Sequence, residues 1–458
     1  MKRKMIEGRI FPNLLSFALP LVIGSLFQLA YNLFDYIILG WFSSSPIESQ
    51  AAIGIASPIM NIFISLFSGL CVGAGIHSSE LYGNKDIKNL KKQFSSFLLT
   101  FGLISLGITL LFLLLLDPIL TFSNVTDIFL RKEASIYLSI VAFGFIFCFF
   151  YNFYASVLRS MGDSMSSLIF LIISCILNIG LNIIFVITFD LDVFGVALST
   201  LISQIVSAIS IIIYAKVKYP TVFKFKLEEF VIDKQLLKIS SSYAIASALQ
   251  QIVLFVGKYL ISIQVNKYDA TIIDAFSAAS KIDDFVCSPA QNFAHATAIF
   301  IAQNKGAKQY QRAKKGFATG FALNLIYGVI ITVVIFLGKE FILNLFISND
   351  VSISESKKLV IEGGTRYLTI MCALYMLPCV TNSIQSYFRG VGKLNIVFLS
   401  TTVQIIFRVS FVYILIYLSI ECLSSTALAT GIGWCAMILF ELPILIHYFK
   451  SNKNLIIE

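Results

Sequence analysis

FALPLVIGSLFQLAYNLFDYIILG, residues Phe17–Gly40, carries a single charged side chain, Asp35. A helix needs about 20 predominantly apolar residues to cross a hydrocarbon core about 30 Å thick, and this stretch supplies them. Eleven further runs of the same kind follow, giving twelve with approximate limits 14–40, 51–81, 94–116, 134–158, 166–189, 194–215, 239–265, 271–302, 317–337, 363–388, 394–420 and 424–449. The polar interruptions are short, and no long segment alternates apolar with polar residues, so the spans are helices and not barrel strands. Charged residues make up only 13% of the 458 and hydrophobic residues 57%, against about 25% charged in soluble domains. The chain reads as an all-α integral membrane protein.

Charge then sets the topology. Lys and Arg divide 24 to 7 between the even- and odd-numbered sides, with three inside spans. The basic side includes the N-terminal tail, GNKDIKNLKKQ, the stretch Lys216–Lys238 and NKGAKQYQRAKK. By the positive-inside rule that side and both termini are cytoplasmic. The net charge of +9 is accounted for by topology, so no nucleic-acid partner is expected. The start MKRKMIEGRIFPNLL resembles a signal peptide, but its apolar stretch is too long and lacks a small-residue cleavage pattern. An uncleaved first span is expected.

Several classes drop out. The longest polar gap, Lys216–Lys238, leaves no room for a nucleotide-binding domain, and no G-x-x-x-x-G-K-[ST] loop occurs. The eight cysteines show no C-x-x-C and lie mostly in spans, where they read as packing residues. His77 and His295 stand alone and read the same way, and no cluster has metal-ligand spacing. Pro20, Pro58, Pro289, Pro378 and Pro443 fall in or near spans, where proline kinks or hinges a helix. The abundant Phe and Met could line a cavity wall, but a lipid-facing surface uses the same residues and is the expected reading.

The chain also repeats itself. At an offset of 223, ELYGNKDIKNLKKQF (Glu80–Phe94) falls on QNKGAKQYQRAKKGF (Gln303–Phe317), pairing Gly83 with Gly306 and Phe94 with Phe317. At an offset of 230, LRSMG (Leu158–Gly162) falls on FRGVG (Phe388–Gly392). Six spans per copy is an even number, so the copies share one orientation. The expected architecture is twelve transmembrane helices in two pseudo-symmetric six-helix lobes, residues 1–215 and 239–458. A cytoplasmic basic linker, 216–238, joins them, and its KLEEF and DKQLLK pieces predict a short amphipathic surface helix. Parallel repeats are a common plan for secondary transporters, with substrate passing between the halves.

Polar residues inside spans cost free energy and usually serve function. Asp35 has Gln28 two turns earlier on the same face, with Asn32 on a neighbouring stripe. Asn178 and Asn182 project from one face of the fifth span, and the sixth carries Ser199, Thr200, Ser203 and Gln204. Such amides and hydroxyls serve equally as a site or as contacts between helices. In the second half, Gln250, Gln251 and Lys258 lie in span 7, Asp283 and Asp284 beside Lys281 in span 8, and Arg408 in span 11. Lys258 is expected to pair with one of the two aspartates, since intramembrane charges are seldom single.

FALPLVIGSLFQLAYNLFDYIILG, LRSMGDS (Leu158–Ser164), AQNKGAKQYQRAKKGF (Ala302–Phe317) and YFRGVGK (Tyr387–Lys393) together resemble the multidrug and toxic compound extrusion (MATE) family of secondary exporters. The resemblance spans nearly the whole chain. It implies a cation site built from a span 1 Asp, a span 5 Asn-x-x-x-Asp and a span 6 Thr, which here match Asp35, Asn178 and Thr200. Asn182 stands where the family usually has its second Asp, so the implied site holds one formal negative charge. No metal is expected beyond a Na⁺ at Asp35, and no cofactor beyond H⁺ or Na⁺ as coupling ion.

The resulting expectation is a cation-coupled antiporter of a bacterial cytoplasmic (inner) membrane, exporting small amphipathic, cationic compounds by alternating access. The expected partners are a small-molecule substrate and the lipid bilayer, without nucleotide, and the expected state is a monomer. The alternative is a lipid-linked precursor flippase of the same superfamily, whose pyrophosphate headgroup Lys258 and Arg408 would suit. An enzyme is not expected, since the cytoplasmic turns offer only Glu80, Asp86 and Asp163 scattered among lysines. No ring of like charges marks a channel.

Overall fold

The computed structural model describes residues 5–122, 125, 127–226, 229–346 and 354–451, and among these every regular element is helical. The long helices are α1 (Ile10–Phe42), α2 (Pro46–Gly83), α3 (Ile87–Leu114), α5 (Ile128–Ser160), α6 (Ser164–Ile183), α7 (Asp192–Lys218), α9 (Lys234–Val265), α10 (Ala270–Gly306), α11 (Tyr310–Phe346), α14 (Leu394–Tyr417) and α15 (Cys422–Ser451). Two short pieces, α4 (Leu116–Phe122) and α8 (Pro220–Phe223), and the broken pair α12 (Ser354–Leu374) and α13 (Met376–Gly390) complete the set. Ten helices are long and apolar enough to span a membrane, and the broken pair makes an eleventh. α10 is 37 residues long but carries Lys281, Asp283 and Asp284 in its first half, so apolarity alone omits it. With it the count is the expected twelve.

Two breaks have a stated cause. Pro378 lacks the N–H that Leu374 would receive, and its ring crowds that carbonyl. The helix breaks there, and α12 and α13 meet at 46°. Pro118 stands in the same relation to Leu114, the last residue of α3. At the end of α6 the ladder widens into a π turn, Ile184–Thr188.

The duplication is visible in backbone geometry. Lys85 and Lys308, 223 apart, both take the left-handed conformation at φ 57°. Asp86 N–H reaches Leu81 O (3.0 Å), and Gln309 N–H reaches Asn304 O (2.8 Å). Gly162 and Gly392, 230 apart, sit at φ 88° and 84°, which glycine adopts without steric penalty. The following residues close the same helix end, Asp163 N–H to Leu158 O (3.0 Å) and Lys393 N–H to Phe388 O (2.8 Å). The weak sequence matches thus mark turns where few backbone paths are open.

The chain divides into two units. One comprises Met1–Ile6, Ile23–Gln251 and Gly306–Lys308, and the other Glu7–Val22, Ile252–Lys305 and Gln309–Glu458. The first has an aromatic core in which Phe67, Phe94, Phe97, Phe145, Phe149 and Phe153 are fully buried, with Phe94 stacked on Phe153 at 5.0 Å and Phe97 on Phe101 at 4.2 Å. Much of the phenylalanine therefore lines neither lipid nor cavity. α2 also meets the first half of α9 backbone to backbone. A Cβ at Gly69 would sit 2.7 Å from Ala248 Cα, and one at Gly73 would sit 2.3 Å from Tyr243 O, so only glycine permits this approach.

Of the pieces of Lys216–Lys238 expected to be helical, DKQLLK is so as the opening of α9. The linker's first residues finish α7 and its last begin α9, where Asp233 Oδ1 accepts from Leu236 N at 3.1 Å. Leu227 and Glu228 of KLEEF lie outside the described residues. Between the helices, Phe223 and Phe225 pack on Phe94 at 5.0 and 5.7 Å. Aromatic burial in a ready slot outweighs a surface helix here. Asp163, capping α6, is held by Ser166 Oγ (2.7 Å), Tyr219 OH (2.9 Å), Tyr214 OH (3.0 Å) and Lys218 Nζ (3.3 Å).

Candidate functional site

Three helices of the first unit bring four of the expected residues into one hydrogen-bonded line. Asp35 lies late on α1, Asn178 and Asn182 are four apart on α6, and Thr200 is on α7. The Asn182 amide donates to Asp35 Oδ1 at 2.5 Å and to Asn178 Oδ1 at 3.1 Å. The Asn178 amide points on to Thr200 Oγ1 at 3.4 Å. Asp35 is 7% exposed, Thr200 2%, and the asparagines are fully buried. The orientation of Asn182 follows from charge, because turned over it would set its oxygen against two other acceptors.

No lysine or arginine among the described residues pairs with Asp35. Among the described residues, Tyr137 on α5 and Cys175 on α6 lie near enough to sense its charge. Asn182 Oδ1 is buried with no hydrogen-bond partner among the described residues, a costly arrangement unless something occupies that oxygen. The donor set of carboxylate, amide and hydroxyl oxygens fits a hard monovalent cation, since such ions take oxygen ligands. It fits a proton on Asp35 equally well.

The neighbouring polar residues sort themselves by their bonds. Ser199 and Ser203 hydroxyls donate back to Gly195 O (2.8 Å) and Thr200 O (2.9 Å) within α7, which spends them on their own helix. Gln204 lies over Gly144. Gln28 is exposed, and the side chain of Asn32 lies outside the described residues. Gln250 is buried and Gln251 half-buried in α9. His77 bonds through Nδ1 to Ser240 Oγ at 2.7 Å, tying α2 to α9.

The second unit is built on paired charges. Lys258 Nζ meets Asp284 Oδ1 at 2.5 Å, with both side chains about half exposed. This settles which aspartate the lysine takes. Asp283 instead accepts from Tyr367 OH and Tyr375 OH, both at 2.6 Å, with Arg408 near enough for its charge to act. Tyr375 is the residue at the break between α12 and α13.

One acid escaped the sequence reading. Glu441, in FELPILI on α15, is fully buried, and the rule that singled out Asp35 applies to it equally.

Comparison with known proteins places the chain in a family. The MatE family model matches residues 20–184 and 246–414. The chain is 24% identical over 373 residues to the probable multidrug resistance protein YoeA of Bacillus subtilis, covering 80% of each chain. It is 24% identical over 396 residues to YpnP of the same organism, also a probable multidrug resistance protein, covering 85% of this chain and 84% of that one. A crystal structure of MATE in complex with MaL6 superposes at a TM-score of 0.90 with 21% identity, over 99% of both chains.

Proposed function

This chain belongs to the MatE family, as a multi-pass membrane transporter of the multidrug efflux type, and we propose that it is an antiporter coupled to inward movement of H⁺ or Na⁺ at Asp35. Its exported substrates are small, amphipathic and mainly cationic, and it works as a monomer in a bacterial inner membrane with both termini cytoplasmic. The observation that carries this reading is the buried Asp35, which no cation pairs among the described residues and which lies beside the unclaimed Asn182 Oδ1. Asn178 and Thr200 assist as further oxygen donors.

A bound cation drives transport only if it favours one state over another. Filling the Asp35 site removes the cost of an uncompensated buried charge and joins three helices through one ion, so states that differ in α1 differ in cation affinity. The available drive is about 2.3 kcal/mol per elementary charge per 100 mV. Lys258 and Arg408, the cations a flippase would offer a pyrophosphate, lie against Asp284 and near Asp283. That favours the exporter.

The test uses full-length protein in liposomes, with efflux of a fluorescent organic cation driven separately by a sodium gradient and by a pH gradient. Wild type responds to one of them and Asp35→Asn to neither. Asp35→Asn protein that transports as well as wild type under both overturns the coupling role. Movement of headgroup-labelled lipid without movement of the organic cation would reassign the substrate.

A further inference from the structure

Glu441 is the buried acid that this mechanism does not use. Among the described residues neither of its carboxyl oxygens meets full hydrogen-bond geometry with a donor, although polar groups stand within reach. Gln385 on α13 and Ser400 on α14 lie next to it. The Gln385 amide is directed instead at Ser400 Oγ (3.2 Å) and Thr401 Oγ1 (3.1 Å). The two hydroxyls donate to Val397 O at 3.0 and 2.8 Å. Arg389, the buried arginine of the second-half turn, reaches Gln385 Oε1 at 3.4 Å.

We propose that Glu441 is a second, independent proton-binding site, located in the second unit and cradled by Gln385, Ser400 and Thr401. The amide and hydroxyl hydrogens of the cradle are directed at other acceptors, which leaves the oxygens of Glu441 short of donors. An ionised carboxylate buried in that condition is expensive, and a proton removes the cost. A metal ion fits less well: it requires several oxygens at once, and the guanidinium of Arg389 stands close by with like charge. Arg389 is the charged group acting on Glu441 among the described residues. α14 presents hydroxyls there, and α12 meets α15 farther along, where Leu374 packs on Gly431.

The duplication sharpens the point. Shifted by 230, Arg389 falls on Arg159 and Glu441 on Ile211, which is fully buried in α7. Both halves keep the arginine, and among the described residues the second has an acid beside it, Glu441. Arg389 closes the basic-side turn, and α15 runs on from Glu441 to Lys450 on that same side. The proton would therefore exchange with the cytoplasmic side. As a proton site Glu441 stands by itself; as a second coupling site it rests on the antiporter reading.

Infrared difference spectroscopy of the reconstituted full-length protein across a pH titration reads the site without any transport. Wild type is expected to show a protonated-carboxyl carbonyl band that bleaches on alkalinisation. Asp35→Asn keeps that band and Glu441→Gln loses it, so failure at one acid is distinguished from failure at the other. In liposomes the proton-to-substrate ratio of Glu441→Gln falls by one. A carbonyl region unchanged by Glu441→Gln overturns the proposal, because an ionised Glu441 paired with Arg389 gives no such band. Should the variant fail to fold, wild type labelled with ¹³C in its glutamate side-chain carboxyls gives the same reading. A titrating carbonyl band must then shift, and no shift sinks the proposal.

Discussion

Asp35 and Asp283 sit on one duplicated scaffold, yet their neighbours differ in kind. Asp35 has a neutral amide on one oxygen and a chain of amide and hydroxyl beyond it. Asp283 has two phenols and a nearby guanidinium, with Lys258 and Asp284 paired beside it. An acid held by neutral groups alone keeps its full appetite for a cation; one with a guanidinium nearby has less of it. Shared backbone therefore does not mean shared chemistry. At the 223 offset Asp35 falls on Lys258, and at the 230 offset Asn178 falls on Arg408, so the change of sign is written into the second copy.

The contrast can be broken most directly by neutralising each side in turn. Asp35→Asn should abolish gradient-driven efflux to the level of empty liposomes. The double variant Lys258→Met/Asp284→Leu should retain gradient dependence, because it removes a pair and leaves no net charge behind. Equal losses in both would erase the distinction.

A second variant sharpens it. Asn182→Asp gives the first unit two carboxylates and restores the pattern the family usually shows. Apparent cation affinity, measured from the cation dependence of efflux, should tighten by about tenfold, which corresponds to about 1.4 kcal/mol. Weaker cation dependence would mean that Asn182 Oδ1 is not a ligand.

Smaller effects are expected where bonds are structural. Tyr375→Phe removes one donor from Asp283 and should lower stability by about 2 kcal/mol, in the range for hydrogen bonds to charged groups. Thermal unfolding in detergent reads it, and the cation dependence of efflux should stay unchanged.

The smallest effect lies outside the spans. Burial pushes the Asp163 carboxyl up, but hydrogen bonds from Ser166, Tyr219 and Tyr214 together outweigh it and hold it below its ordinary value. A depressed folded-state value stabilises above the unfolded value, about 3.9, and that contribution is lost as pH falls through the folded one. Asp163→Asn should thus be less stable than wild type at neutral pH, by about 1 kcal/mol. The gap should hold down to about pH 4 and close below it.

The parts that were legible in the sequence depend on local rules. Eleven of the twelve apolar runs found their helices because length and composition suffice, α10 being the one that apolarity alone omits, and Asn178 and Asn182 share a face because four residues is about one turn. The turns at Lys85 and Lys308 were readable only as weak repeats, since conformation persists longer than side chains do. The partner of Lys258 was not legible, because adjacent aspartates point to different sides of α10 and only packing chooses between them. In the linker, DKQLLK carries a helical pattern and opens α9, while the burial of Phe223 and Phe225 on Phe94 depends on a slot that only packing creates. Glu441 was missed because proline and aliphatic neighbours made its segment read as ordinary span.

The break at Tyr375 has a mechanical corollary. An unbroken helix turns as one rod, because twisting one end strains every rung of its ladder. With Pro378 in place there is no rung from residue 378 to residue 374, so the ladder is weakest at the joint where α12 and α13 meet. The phenol of Tyr375, fastened to Asp283 on α10, ties that joint to a third helix.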